Sequence, residues 1–261
     1  MNSTTTTRIA LLKCGDLRGK AYERNSGYNE IYNNWLQISL PDPQVNKFSL
    51  DSYDVVQDIY PNEDLYECIM LTGSAASAYE DIQWINKLAR YIAHVAESKP
   101  HIKIIGICFG HQIISRALGG ECVPFGEKWE LGPTPIELTD IGKQLFGPSD
   151  TLNIQQMHRD HVPSVPPSFH LLGYSLTCYN QGMVRFSPGA KPSTPLPPIQ
   201  ILTTQGHPEF NEPIVTAIIE QRLESGSISP EAAADAETRR FWRTDGVDVI
   251  GKAIWAILLR K

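Results

Sequence analysis

Short apolar runs and polar stretches alternate through the first half of the chain. Arg8-Ile9-Ala10-Leu11-Leu12-Lys13-Cys14, closed by Gly15-Asp16, predicts a buried parallel strand. Residues 15–52 are polar, with many tyrosines and asparagines, and predict a helix and loops. Residues 53–60 predict a second strand stopped by Pro61, and Cys68-Ile69-Met70-Leu71 a third that ends in Thr72-Gly73-Ser74. Over residues 81–98, Ile82, Ile85, Leu88, Ala89, Ile92, Val95 and Ala96 recur at helical spacing, and Pro100 ends the pattern. Ile104-Ile105-Gly106-Ile107 then predicts a strand, followed by a sharp turn and a helix that runs to Leu118 and is capped by Gly119-Gly120.

This alternation implies an α/β domain whose central, mostly parallel sheet is flanked by helices, with ligands bound at the carboxyl ends of strands. The pattern changes over residues 121–205. Prolines become frequent, and runs at 121–123, 134–138, 152–154, 170–175 and 182–186 predict antiparallel strands. A proline-rich loop at 187–198, a candidate docking segment for a partner, precedes a strand at 199–203. The tail reads as helical, with a helix after Pro213, a second opened by Ser229-Pro230-Glu231, and a last one carrying Val249, Ile250, Ile254, Ile257 and Leu258. Residues 1–7 are polar and are expected to be disordered, leaving one domain over 8–261 with a helical extension at its end.

Composition narrows the class. The 261 residues are 41% hydrophobic and 20% charged, as in an ordinary globular protein. The net charge of −6 offers no basic field for nucleic acid, and no apolar run approaches the roughly 18 residues that span a bilayer. Five widely spaced cysteines, without a C-x-x-C pair, argue against a disulfide framework or structural zinc and for a reducing, cytoplasmic setting.

The candidate chemistry sits at two places. Gly106-Ile107-Cys108-Phe109-Gly110 puts a thiol at the apex of a strand-to-helix turn, where the glycines let the backbones close. The N-terminus of the following helix favours a thiolate there. Gln205-Gly206-His207-Pro208-Glu209 follows the 199–203 strand. A carboxylate that orients an imidazole, which in turn deprotonates a thiol, is the logic of a catalytic triad. Met157-His158-Arg159-Asp160-His161 lacks the neighbours of a kinase catalytic loop, and its two histidines and aspartate have no further metal ligand nearby. No metal and no cofactor is expected.

At this point the chain resembles the class I (triad) glutamine amidotransferases. Their elbow motif G-x-C-x-G-x-Q is met by Gly106, Cys108, Gly110 and Gln112, and their H-P-E motif by His207-Pro208-Glu209. Their glycine loop is met by Thr72-Gly73-Ser74, with all three landmarks in family order over roughly residues 9–225. The resemblance implies a flavodoxin-like α/β domain with Cys108 as nucleophile, His207 as acid/base and Glu209 as the group that orients it. It further implies an oxyanion hole from the N–H groups of Gly73 and Phe109, and substrate contacts from Gln112, His158, Arg159 and Asp160. At 157 this sequence has Met where the family often has Ser.

Two enzyme readings follow, both acting on glutamine or a γ-glutamyl small molecule. One is a stand-alone hydrolase similar to the γ-glutamyl peptidases, which cleaves glutamine or γ-glutamyl peptides such as glutathione or its conjugates through a γ-glutamyl thioester. The other is a glutaminase subunit that hands ammonia to a separate synthase in trans. The short stretch after Glu209 and the lack of a P-loop tilt the expectation to the first. A non-catalytic relative that binds ligands or a partner is the third reading, and an intact Cys108, His207 and Glu209 weigh against it.

Overall fold

The apolar runs of the first half become the middle of a sheet. The computed structural model describes residues 5–126 and 128–260. Its elements are β1 (Thr5–Lys13), α1 (Gly19–Asn25), α2 (Tyr28–Ser39), β2 (Asn46–Asp54), β3 (Cys68–Leu71), α3 (Gln83–Ser98), β4 (Lys103–Ile107), α4 (Phe109–Ala117), β5 (Val123–Pro124), β6 (Glu130–Leu138), α5 (Asp140–Phe146), β7 (Thr151–His158), β8 (Asp160–His161), β9 (His170–Tyr174), β10 (Gly182–Phe186), β11 (Ile199–Thr204), α6 (Glu212–Glu224), α7 (Pro230–Arg239) and α8 (Lys252–Leu258). A π-helical turn, Gly246–Gly251, leads directly into α8.

Nine strands form one sheet in the order β2-β1-β3-β4-β11-β10-β9-β6-β7. The first five run parallel, and the remaining four continue the sheet in antiparallel fashion. The α/β architecture expected from the alternation is therefore present, and the proline-rich middle supplies the antiparallel half. Side chains alternate across a strand, so each buried strand feeds two cores. Ile9, Leu11, Met70, Ile105 and Leu202 face the layer of α2, α6 and α8. Ala10, Leu12, Ile69, Leu71, Ile104 and Ile201 face α3 and α4. Burying each of the larger side chains is worth about 1.5–3 kcal/mol. On α3 the buried stripe is Ile85, Leu88, Ile92, Val95 and Ala96. Ile82, expected on that stripe, precedes the helix and is exposed.

Four expectations are corrected. The strand predicted at 53–60 lies earlier, as β2, and pairs with β1 from Asn46 to Asp54. Val55–Gln57 form a 3-10 turn instead, because the Asp54 side chain accepts from the N–H groups of Val56 and Gln57. The 15–52 segment holds two helices and most of β2 rather than one helix and loops. The antiparallel half contains a short helix, α5, which Thr139 caps by accepting from the Gly142 N–H. Finally, Thr5, Thr6 and Thr7, expected to be disordered, pair with Asn46, Lys47 and Phe48. Residues 1–4 of that expected disordered segment lie outside the described residues. Among the described residues, no helix is long and apolar enough to cross a membrane.

Candidate active site

β4 and β11 are neighbouring parallel strands, so their carboxyl ends bring the two sequence landmarks together. Cys108 follows β4 directly and precedes α4. Its φ of 52° and ψ of −103° place a β-carbon where only the surrounding structure can hold it. That structure is specific. The Cys108 N–H donates to the Thr204 carbonyl at the end of β11, 2.8 Å away. A β-carbon on Gly106 would stand 2.7 Å from the Gly110 carbonyl group, and one on Gly110 would stand 2.8 Å from the Leu71 oxygen. Both glycines are thus required by backbone contact, as the turn predicted. Phe109 opens α4, whose first N–H groups have no partner inside the helix.

His207 lies three residues beyond β11. Its N–H donates to the Gln155 carbonyl of β7 at 2.8 Å, which fixes the loop against the antiparallel half. The ring stacks on Phe210, with centroids 4.1 Å apart and planes 4° from parallel. Nδ1 is 2.7 Å from Glu209 Oε1, and a carboxylate accepts, so Nδ1–H is the donor. This leaves Nε2 free of the carboxylate, and the ring lines the same cavity as Cys108. Burial opposes a charge on the imidazole, but Glu209 and the Cys108 sulfur outweigh it and raise the His207 pKa to about 10. An imidazole beside a thiol is the pairing used in nucleophilic catalysis.

The carboxyl end of β3 approaches from the other side. A β-carbon on Gly73 would lie 2.8 Å from His207 Cε1 and 3.2 Å from the Tyr28 hydroxyl, so the glycine admits the ring. A cavity of about 470 Å³ opens in front of Cys108 and His207, bordered by Asp16, Tyr28, Met157, Phe210 and Arg222 among others. Cys108 is 6% exposed and reaches this cavity.

The residues expected to contact substrate are distributed differently. Gln112 is buried behind the sulfur, with Nε2 donating to the Asp160 carbonyl (2.9 Å) and to Gln205 Oε1 (3.2 Å). Gln205 in turn directs Nε2 at Cys108 Sγ, 3.7 Å away. Gln112 therefore reaches the Cys108 sulfur through Gln205. His158 is buried with both ring nitrogens occupied, by Glu130 Oε2 at 2.8 Å and the Asp160 carbonyl at 3.0 Å. The cavity wall here is Met157. Asp160 contributes its carbonyl to both contacts, and Arg159 is exposed with its guanidinium 5.9 Å from the centre of the Trp129 ring.

Glu130 is a buried centre that sequence reading missed. Besides His158, it accepts from Ser175 at 2.6 Å, from Thr177, and from Gln181 at 2.6 Å. Burial raises its pKa, yet these donors prevail and hold it at about 2. Ligand atoms of Glu130, His158 and Cys178 lie within 4.8 Å of one another, a spacing that could suit a metal. The donor set does not fit one. Burial pushes the Cys178 thiol up to about 12, its proton goes to the Asn180 carbonyl, and hydrogen bonds occupy the Glu130 oxygens. Gln205 and Arg222 were also missed. Gln205 adjoins the His207 motif and could have been found there, whereas an arginine within a helix gives no signal in sequence.

Comparison with known proteins bears on the family and the fold. The profile of the family Glutamine amidotransferase class-I matches residues 44–222. A glutamine amidotransferase-like protein of Schizosaccharomyces pombe is 38% identical over 163 residues, covering 61% of this chain and 60% of its own length. Gamma-glutamyl peptidase 4 of Arabidopsis thaliana is 30% identical over 209 residues, covering 74% of this chain and 78% of that protein. The chain thus spans about three fifths of its fission-yeast relative and more of the plant one. In fold, it is similar to a glutamine amidotransferase of Thermotoga maritima, with a TM-score of 0.69 at 17% identity over 97% of this chain and 99% of that one. The chain belongs to the class I glutamine amidotransferase family.

Proposed function

We propose that this protein is a stand-alone cysteine hydrolase that cleaves the γ-glutamyl amide bond of glutamine or a γ-glutamyl peptide through a thioester on Cys108. One observation carries this reading. A thiol in a strained turn shares a cavity with an imidazole whose far nitrogen is held by a buried carboxylate, Glu209. The similarity to a plant γ-glutamyl peptidase supports the peptide side of the substrate class.

The chemistry follows from the placement of charge. The Cys108 thiolate attacks the γ-carbonyl carbon, and negative charge moves to the carbonyl oxygen. The N–H groups of Gly73 and Phe109 would receive that oxygen, each lowering the barrier by about 3 kcal/mol. His207, protonated, gives its Nε2 proton to the departing nitrogen, the C–N bond breaks, and the γ-glutamyl thioester remains. Water then loses a proton to His207, attacks the thioester and releases glutamate, restoring the thiolate and imidazolium. Glu209 stabilises the imidazolium and holds its orientation. Gln112, itself held by the Asp160 carbonyl, acts as a positioning residue through Gln205.

The test is a parallel assay of purified protein for ammonia from glutamine and for glutamate from γ-glutamyl peptides. Activity on a γ-glutamyl peptide that disappears in Cys108→Ala supports the reading. Activity on glutamine alone favours an ammonia-supplying glutaminase. Activity that survives in Cys108→Ala overturns the assigned nucleophile.

A further inference from the structure

The cavity in front of Cys108 has an uneven charge. Its wall carries Asp16, Arg18 and Arg222. Asp16 is already satisfied, since its oxygens accept from Lys13 Nζ at 3.1 Å, the Leu17 N–H at 2.9 Å and the Tyr28 N–H at 2.7 Å. Arg222 has no comparable partner. The acids of its own helix are committed elsewhere, with Glu212 to Arg240, Glu220 to Arg24 and Glu224 to Lys20. Among the described residues, its buried Nε finds no acceptor. The guanidinium is nevertheless fixed, lying 4.7 Å from the centre of the Trp129 ring. Stacking of this kind orders the side chain, and Arg222 also lines the cavity. Arg159 approaches the same indole, so a second cation adds to the field. Burial also lowers the Arg222 pKa, as expected of a guanidinium withdrawn from water.

A half-buried, ordered cation whose Nε is out of water, with no carboxylate paired to it among the described residues, is costly unless an anion arrives. A planar fork matches a carboxylate in two-point contact. Its position decides which carboxylate. Arg222 stands on α6, the helix that follows the His207 loop, and shares the cavity wall with His207 and Phe210. His207 must lie beside the departing nitrogen to protonate it, so this wall faces the leaving group.

We propose that Arg222, held on Trp129, binds a carboxylate of the substrate's leaving amine, and so selects γ-glutamyl amino acids and peptides over glutamine. The inference deepens the hydrolase reading and takes its bond cleavage as given. Binding and turnover can be separated, because Cys108→Ala retains the cavity while removing the nucleophile.

The experiment is calorimetry on full-length Cys108→Ala with two ligands, γ-glutamylglycine and γ-glutamylmethylamide. They share the glutamyl group, and only the first bears a carboxylate on the leaving amine. Adding Arg222→Gln should weaken γ-glutamylglycine by about 10- to 100-fold, the loss expected for a charge-assisted pair, and leave γ-glutamylmethylamide nearly unchanged. Arg222→Lys, which keeps charge without the fork, should fall between. Thermal melting of each variant reports whether it folds, and the Lys variant serves if the Gln variant does not. Equal weakening of both ligands would assign Arg222 to the glutamyl carboxylate and overturn the proposal. No weakening, or no binding of γ-glutamylglycine to Cys108→Ala, would overturn it as well. Binding that obeys the prediction while wild-type protein cleaves neither ligand would count against the hydrolase reading and leave the Arg222 assignment standing.

Discussion

Cys108 holds a φ of 52°, a conformation that costs a residue with a β-carbon about 1–3 kcal/mol. The cost is offset by the two glycines that let β4, α4 and β3 close around it. At this scale His207 is the residue whose chemistry depends most on its neighbours. Burial alone would discharge its ring, and Glu209 with the Cys108 sulfur keeps it protonated up to about pH 10. The pKa is raised, so the imidazolium and its share of stability are complete below the ordinary histidine range and lost as pH rises through about 10. The alkaline limb of kcat/KM should therefore fall near that value. Glu209→Gln should move the limb down by about 1 to 3 pH units, since it removes the opposite charge that holds the proton. A pH–rate profile of the two proteins measures this shift. Gly73→Ala tests the fit of the same ring. A β-carbon 2.8 Å from Cε1 must displace it, so kcat should fall by about 10²-fold while the melting temperature changes little.

At the scale of elements, the site depends on close approach between backbones. Gly106→Ala would press a methyl group against the Gly110 carbonyl and Ile114. Unfolding in urea should show a loss of at least about 1–3 kcal/mol, the usual cost of overpacking. This turn was legible in sequence because its requirement is local: two glycines, one thiol, a strand before and a helix after. α3 was legible for the same reason, through five buried residues at one periodicity. β2 was not, because it lies at the edge of the sheet, where no side chain needs to be fully buried. Val55-Val56 looked like its centre, yet Asp54 caps a turn there, and a side-chain cap competes with strand pairing. Cys108 and His207 stood out in the sequence as candidate chemistry. The contact between them depends on β11 lying next to β4, a long-range pairing that periodicity does not encode. His158 shows the opposite failure. Its position suggested a ligand contact, and the buried Glu130, invisible as a partner from the sequence, holds it away from the cavity.

For the molecule as a whole, Glu130 ties β6 to β7 and to the segment between β9 and β10. Its pKa is depressed to about 2, so its stabilisation is complete above the ordinary carboxylate range and disappears as pH falls through about 2. It should contribute about 3 kcal/mol at neutral pH. Glu130→Gln should lose an amount of this order, and its stability should decline less steeply on acidification, as denaturant titrations at pH 7 and pH 3 would show. The same antiparallel half anchors the His207 loop through Gln155, so the two halves of the sheet together bring His207 and Cys108 to one cavity. The central claim is that Cys108 carries the γ-glutamyl group between the two halves of the reaction. It is tested most directly by acid-quenching the enzyme during turnover of a γ-glutamyl peptide and measuring the mass of the peptide that contains Cys108. The account predicts one glutamyl adduct on that peptide, labile to base and absent in Cys108→Ala. Steady turnover with the Cys108 peptide unmodified, matched by undiminished turnover in Cys108→Ala, would contradict it.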